Sequence, residues 1–158
     1  MSLAIVPGSF DPMTLGHLAL IKTVAQKYDE VVVAVMQNSQ KQYLFTTEER
    51  VEIARLTVSE LSNVRVISDD GMLIDLYDRL DASAVCKGVR NETDRSYEEN
   101  MAAWNRNHNP RFVTELIDSD GAYATVSSTD VRAAMKNRED LSFLVHPRVV
   151  SILSQKTI

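Results

Sequence analysis

The sequence predicts an α/β fold, a single Rossmann-like, doubly wound domain with a central parallel sheet of about five strands and two C-terminal helices. Three observations predict it. Short apolar runs rich in β-branched residues recur along the chain, stretches with helical spacing alternate with them, and one strand-to-helix junction is crowded with glycine, proline and proton-active side chains. Parallel strands need crossovers, and the intervening helices supply them.

The elements follow in order. Leu3–Val6 reads as the first strand, and Leu18, Ile21, Val24 and Ala25 repeat at helical spacing in a helix reaching Tyr28. Val31–Met36 is the second strand. Thr46 and Glu49 stand at capping-box spacing before a helix carrying Val51, Ala54, Val58 and Leu61. Val64–Ile67 is a third strand, Asp75–Leu80 a short helix, and Ala84–Lys87 a fourth strand. Tyr97, Met101 and Trp104 lie along another helix, where Met101 and Trp104 are expected to pack. Phe112–Ile117 is the fifth strand. From Ser128 the chain reads as two helices, with Pro147 suited to the first turn of the second. No repeat, low-complexity segment or linker divides the chain.

Composition narrows the function. At 158 residues, 44% hydrophobic and 25% charged, the chain is long enough for one sizeable core. A net charge of −5 argues against a general nucleic-acid binder but leaves room for a local anion site. No apolar stretch approaches a membrane span, and no basic-then-apolar signal pattern opens the sequence, so a soluble intracellular protein is expected. Cys86 is the only cysteine, which excludes an intrachain disulfide and favours a buried strand thiol. His108 and His146 show no metal-ligand spacing and suit surface or capping roles. Asp69-Asp70 and Asp118-Ser119-Asp120 read as polar turns, not as an EF-hand. No metal-binding residues are expected.

The junction is PGSFDPMTLGH, residues 7–17. It lies where an open α/β sheet binds ligands, beyond the carboxyl end of a strand. Gly8 allows close backbone approach, Ser9 adds a hydroxyl, and His17 falls where free N–H groups and the helix dipole favour a phosphate. One residue at a time, a tight turn with a capping Thr14 and a surface histidine is the favoured reading. Together these residues suit a nucleotide site.

This stretch closely resembles the signature of the nucleotidyltransferase superfamily with the Thr/His-x-Gly-His motif, and most of all the phosphopantetheine adenylyltransferase family. NSQKQYLFTTEERVE (38–52), KGVRNETDRSYEENMAAWNRNHNP (87–110) and ATVSSTDVR (124–132) are similar to that family's lysine loop, its Arg-Gly-Leu-Arg segment with the following helix, and its Ile-Ser-Ser-Ser/Thr-x-Val-Arg/Lys motif. The resemblance implies one nucleotidyltransferase domain over residues 1–158. Its implied reaction is transfer of the adenylyl group of ATP, with Mg²⁺, to 4′-phosphopantetheine. Dephospho-coenzyme A and pyrophosphate would form by direct in-line attack, without a covalent enzyme intermediate.

Residue by residue, the resemblance gives His17, Lys41 and Arg90 the catalytic roles. It puts ATP against Ser9, Phe10, His17, Gly88, Val89, Arg90, Glu98, Tyr123, Ala124, Thr125, Val126, Ser127, Ser128 and Thr129. The acceptor falls to Ser9, Lys41, Leu73 and Lys87. Ser9 stands where threonine is common in the family. Lys87 replaces an arginine, keeping charge but losing the bidentate fork. Other readings remain for some positions: solvation for Lys41, an exposed helix face for Glu98, core packing for Leu73, and helix capping for Ser127, Ser128 and Thr129. Trp104 and Met101 are given no ligand role; Asp11 could orient the first loop, but a turn role is sufficient for it. The resemblance further implies a cytoplasmic homohexamer responsive to coenzyme A. Alternatives are another small nucleotidyltransferase (a nicotinamide mononucleotide adenylyltransferase or a cytidylyltransferase), a nucleotide-binding module without catalysis, and an α/β domain with an unrelated task.

Overall fold

A computed structural model describes residues 1–119 and 126–156. Five parallel strands, β1 (Leu3–Gly8), β2 (Glu30–Met36), β3 (Val64–Asp69), β4 (Ala84–Val89) and β5 (Thr114–Asp118), form one sheet in the order β3-β2-β1-β4-β5. The helices are α1 (Leu15–Lys27), α2 (Thr47–Thr57), α3 (Leu73–Arg79), α4 (Glu92–His108), α5 (Ser128–Lys136) and α6 (Val150–Gln155), the last preceded by a 3₁₀ turn at Pro147–Val149. Each predicted strand is present. The fifth starts two residues later than expected, because Phe112 leaves the sheet line to pack on Tyr77.

Why these segments sit where they do follows from their two-sided burial. Val31 to Val35 are all fully buried, as a central parallel strand covered on both faces requires. Ala4, Val6, Val33, Val35 and Cys86 join a core with residues of α1, α2, α5 and α6. Their alternates Ile5, Ala34 and Val85 join a second core with Leu76 and Tyr77 of α3.

The helix starts are set by side chains. Thr46 accepts from the N–H of Glu49 while Glu49 accepts from the N–H of Thr46, closing the predicted capping box. His146 caps the 3₁₀ turn, with Pro147 in its first turn.

One expectation needs correction. Met101 and Trp104 do not pack into a core among the described residues: α4 buries no residue, and both side chains are about two-fifths exposed, with the Trp104 ring stacked on His108 at 3.8 Å. Tyr97, on the same helix face, is more exposed still. Gly8 has a second reason beside the expected close backbone approach. A Cβ there would first meet the Phe10 ring, at 2.9 Å, so the neighbouring side chain already requires the glycine.

The strand order reverses between β1 and β4. That is the topological switch point, and the crevice beyond their carboxyl ends is where an open α/β sheet takes its ligand.

Candidate active site

Two adjoining cavities, of about 560 and 510 Å³, open at this crevice. Pro7, Gly8 and Lys87 line both, so the ends of β1 and β4 form the divide. His17, Arg90, Gly88, Glu98, Phe10, Val126, Ser127 and Ser128 line the first; Ser9, Lys41 and Leu73 line the second. The predicted nucleotide-side and acceptor-side residues thus separate into neighbouring spaces. Ser9, expected on both sides, lines only the second.

The first cavity is built on the start of α1. Thr14 is the N-cap, accepting from the N–H groups of Gly16 (3.1 Å) and His17 (3.2 Å). His17 answers at N3: its Nδ1 accepts from the Thr14 N–H at 3.0 Å. A backbone N–H can only donate, so Nδ1 carries no proton and the neutral ring holds its proton on Nε2. Burial, and then the Arg90 guanidinium, hold the imidazole down to a pKa of about 4. At neutral pH the site presents a neutral Nε2–H donor beside an N-terminal helix dipole.

Phe10 locks this geometry. Its backbone has φ of 48°, in the left-handed region that favours glycine, while its ring covers Gly8 and meets the His17 ring edge-on at 5.0 Å.

From β4 come the cations. Arg90 Nε donates to Asp94 at 3.0 Å, one helical turn on, and Asp94 also accepts from the Arg90 backbone N–H. This leaves both terminal guanidinium nitrogens outside that pair. Lys87 Nζ lies 3.3 Å from Glu98, whose side chain is only 14% exposed. An acidic residue among phosphate-binding positions thereby finds an amine partner.

On α5 the local chemistry is partly structural. Ser127 Oγ caps the helix by accepting from the Asp130 N–H, Ser128 Oγ donates to the Pro12 carbonyl at 2.7 Å, and Thr129 Oγ1 accepts from Arg132. Each predicted hydroxyl already has a protein partner. At this helix start the N–H groups of Ser128 and Thr129 are left without an intrahelical acceptor. Thr129 lines neither cavity, and Val89 is buried in the core with its carbonyl accepting from Ser119. Tyr123, Ala124 and Thr125 lie outside the described residues, as does Asp120.

The second cavity rests on a loop held by Asp11. Its carboxylate accepts from the N–H groups of Leu44 (2.8 Å) and Phe45 (2.9 Å), pinning the Lys41 loop to the β1 loop. Asp11 lies in a turn, as expected, but a turn role is not sufficient: its side chain is buried and spans between segments. Lys41 is exposed and has no ion-pair partner among the described residues. Leu73 begins α3 and both lines the cavity and packs on the second core, so its two readings coexist.

Sequence reasoning passed over Asp94, Arg132 and Arg50. Asp94 had a signal, its i+4 spacing from Arg90. Arg132 stands in the quoted ATVSSTDVR segment and donates to the Asp11 carbonyl at 2.7 Å. Arg50 is almost fully buried, sharing the inward face of α2 with Ala54 and Thr57. Among the described residues no group of three His, Cys, Asp or Glu side chains is placed to hold a metal ion. Cys86 is buried, and burial, then Glu115, push its thiol up to about 12.

Comparison with known proteins agrees with this architecture. Residues 5–134 match the cytidylyltransferase-like family model. Phosphopantetheine adenylyltransferase of Heliobacterium modesticaldum is 38% identical over 99% of this chain and 93% of its own length. That of Staphylococcus carnosus is 34% identical over 98% and 96%. A solved structure from Vibrio parahaemolyticus, provisionally named nicotinate-nucleotide adenylyltransferase, superposes with a TM-score of 0.70 over 98% of this chain and all of its own, at 18% identity, a likeness of fold. With the predicted motifs gathered at the switch point and relatives this similar along nearly the whole chain, the protein belongs to the cytidylyltransferase-like family and, within it, to the phosphopantetheine adenylyltransferases.

Proposed function

We propose that this chain is a nucleotidyltransferase of coenzyme A biosynthesis, moving the adenylyl group of ATP to the phosphate of 4′-phosphopantetheine. The observation that carries this reading is the pair of cavities meeting at Pro7, Gly8 and Lys87. In it ATP occupies the first cavity and the acceptor phosphate the second. An acceptor oxygen attacks the α-phosphorus, the bond to the bridging oxygen breaks opposite it, and pyrophosphate leaves with that electron pair.

No side chain need become covalently attached, since the acceptor phosphate is itself the nucleophile. The protein's contributions are alignment, worth up to roughly 7–11 kcal/mol, and donors to developing charge, worth about 2.7–4 kcal/mol each. His17 Nε2–H and Arg90 stabilise the phosphates, Lys41 and Lys87 hold the acceptor, and the N–H groups at the start of α5 meet the triphosphate.

Mg²⁺ fits this arrangement as the companion of ATP. Asp94 and Glu98 are the carboxylates on the first wall and both are engaged by cations, so the phosphates supply most of its ligands. When bound with ATP, the ion would supply charge neutralisation at the phosphates.

The whole 1–158 chain acts as one domain in this reading, in the cytoplasm. No helix among the described residues is long and apolar enough to cross a membrane. The uncovered α4 face of Tyr97, Met101 and Trp104 supports assembly, and a homohexamer responsive to coenzyme A is the proposed form. Sedimentation at six times the 17.7 kDa chain mass checks the first point, and inhibition by coenzyme A the second.

The decisive experiment measures pyrophosphate release from ATP and from CTP with 4′-phosphopantetheine, nicotinamide mononucleotide and a cytidylyltransferase acceptor in turn. Release only with ATP and 4′-phosphopantetheine is expected. ATP binding without release from any acceptor overturns the reading in favour of a non-catalytic module.

A further inference from the structure

Arg50 is 1% exposed, yet among the described residues no carboxylate pairs with it. Its partners are neutral. Nη1 donates to the carbonyls of Ser9 (2.9 Å) and Met36 (3.2 Å), and Nη2 donates to Thr47 Oγ1 at 3.2 Å. The Tyr43 ring covers the guanidinium at 3.8 Å, and Nε is buried with no acceptor at all. Burying a cation without a counter-ion is costly, and a buried donor left without a partner adds to the cost. Such an arrangement calls for a compensating role.

The partners show what that role is. Ser9, Met36 and Tyr43 all line the second cavity, and so does Gln37, which accepts from the Thr47 hydroxyl that Arg50 holds. One guanidinium therefore joins three wall segments: the loop after β1, the end of β2 and the loop bearing Lys41. Its charge stays uncancelled by any described ion pair, behind a wall whose other charges are Lys41, Lys87 and Asp70. An arginine fork satisfies several carbonyls in fixed directions, which a lysine cannot do.

We propose that Arg50 is a positioning residue for the acceptor phosphate, setting the spacing of the second cavity's walls and adding fixed positive charge behind them. It touches no reactant. This rests on reading that cavity as the acceptor site.

The test is steady-state kinetics of Arg50→Met and Arg50→Lys, varying each substrate at saturation of the other, with thermal melts alongside. Arg50→Met should raise the acceptor KM by about tenfold or more and leave the ATP KM within about twofold, the effect of losing one charged, multiply bonded group. Arg50→Lys, which keeps charge but not the fork, should fall between. The acceptor KM should also become less salt-dependent in Arg50→Met. Equal rises in both KM values, or a lowered melting temperature with neither KM changed, overturn the proposal as mere fold support. A rise in the ATP KM alone overturns the assignment of the two cavities, while pyrophosphate release itself still stands. Should Arg50→Met not fold, Tyr43→Leu uncovers the same guanidinium; a smaller rise confined to the acceptor KM is expected, and no change refutes the role.

Discussion

His17 Nδ1 accepts the N–H of Thr14 at 3.0 Å, so the residue that closes the capping box of α1 is also the one whose other nitrogen serves the cavity. Capping fixes the tautomer, and burial with Arg90 fixes the protonation state at about pKa 4. A histidine in an unfolded chain titrates near 6.5. Between these values the unfolded state binds more protons than the native state. This group therefore contributes stability above pH 6.5 that is lost as pH falls toward about 4. An NMR titration should place the His17 midpoint near 4 in the free protein and shift it upward when ATP is added, since phosphate charge favours the imidazolium. A free-protein midpoint at the ordinary histidine value would refute this electrostatic description.

Capping and chemistry at this position can be separated. His17→Glu keeps a capping-box acceptor at N3 but carries no side-chain N–H donor. Turnover should fall at least about 100-fold. The melting temperature should move by only about 2–4 °C, the equivalent of about 1 kcal/mol in a chain this size. Near-normal turnover would remove His17 from the machinery.

Lys87 and Glu98 form a pair with unequal exposure, 33% against 14%. Lys87→Arg should match or lower the acceptor KM, whereas Lys87→Ala should raise it. Lys87→Ala should also cost about 1–3 kcal/mol of stability, because a sheltered carboxylate loses its partner. Adding Glu98→Gln to Lys87→Ala should return stability in denaturant melts without returning acceptor affinity. Recovery of both would mean that Lys87 serves only Glu98.

Asp94 holds Arg90 by Nε and leaves the fork available. In Asp94→Ala the fork must be immobilised on binding, at about 0.5–1.5 kcal/mol for such a side chain. The ATP KM should rise about 2- to 10-fold, with little change in melting temperature because the pair is solvent-accessible. A fall in the ATP KM would show that Asp94 restrains Arg90 instead of aiming it.

Asp11 is the anchor between the two loops. Asp11→Ala strands the N–H groups of Leu44 and Phe45 and should destabilise the fold by about 2–4 kcal/mol in urea unfolding. Asp11→Asn retains one acceptor oxygen and should cost less. Equal stability of all three proteins would place the loop's hold elsewhere.

Much of the site was legible because its residues are local in sequence. Thr14, Gly16 and His17 lie within one helical turn, and Thr46 with Glu49 likewise, so their hydrogen bonds follow from spacing. Ser127 to Thr129 were legible only by half. Their helix start was readable, but the partners that occupy Ser128 and Thr129, Pro12 and Arg132, were not. Arg50 was invisible as a site residue because an arginine in a helix reads as solvated until burial is known. Trp104 and Met101 erred the other way: apolar side chains at helical spacing predict a covered face, yet among the described residues nothing covers it.

The sequence by itself determined the order of strands and helices, the caps that start them and the chemical type of each loop. All of these depend on neighbours within a few residues. Tertiary structure alone decided that β1 and β4 lie side by side, that two cavities share Lys87, and that Arg50 sits behind one of them. Pairing between strands about 80 residues apart and burial of a charged side chain depend on how whole layers pack, and no short-range pattern records that.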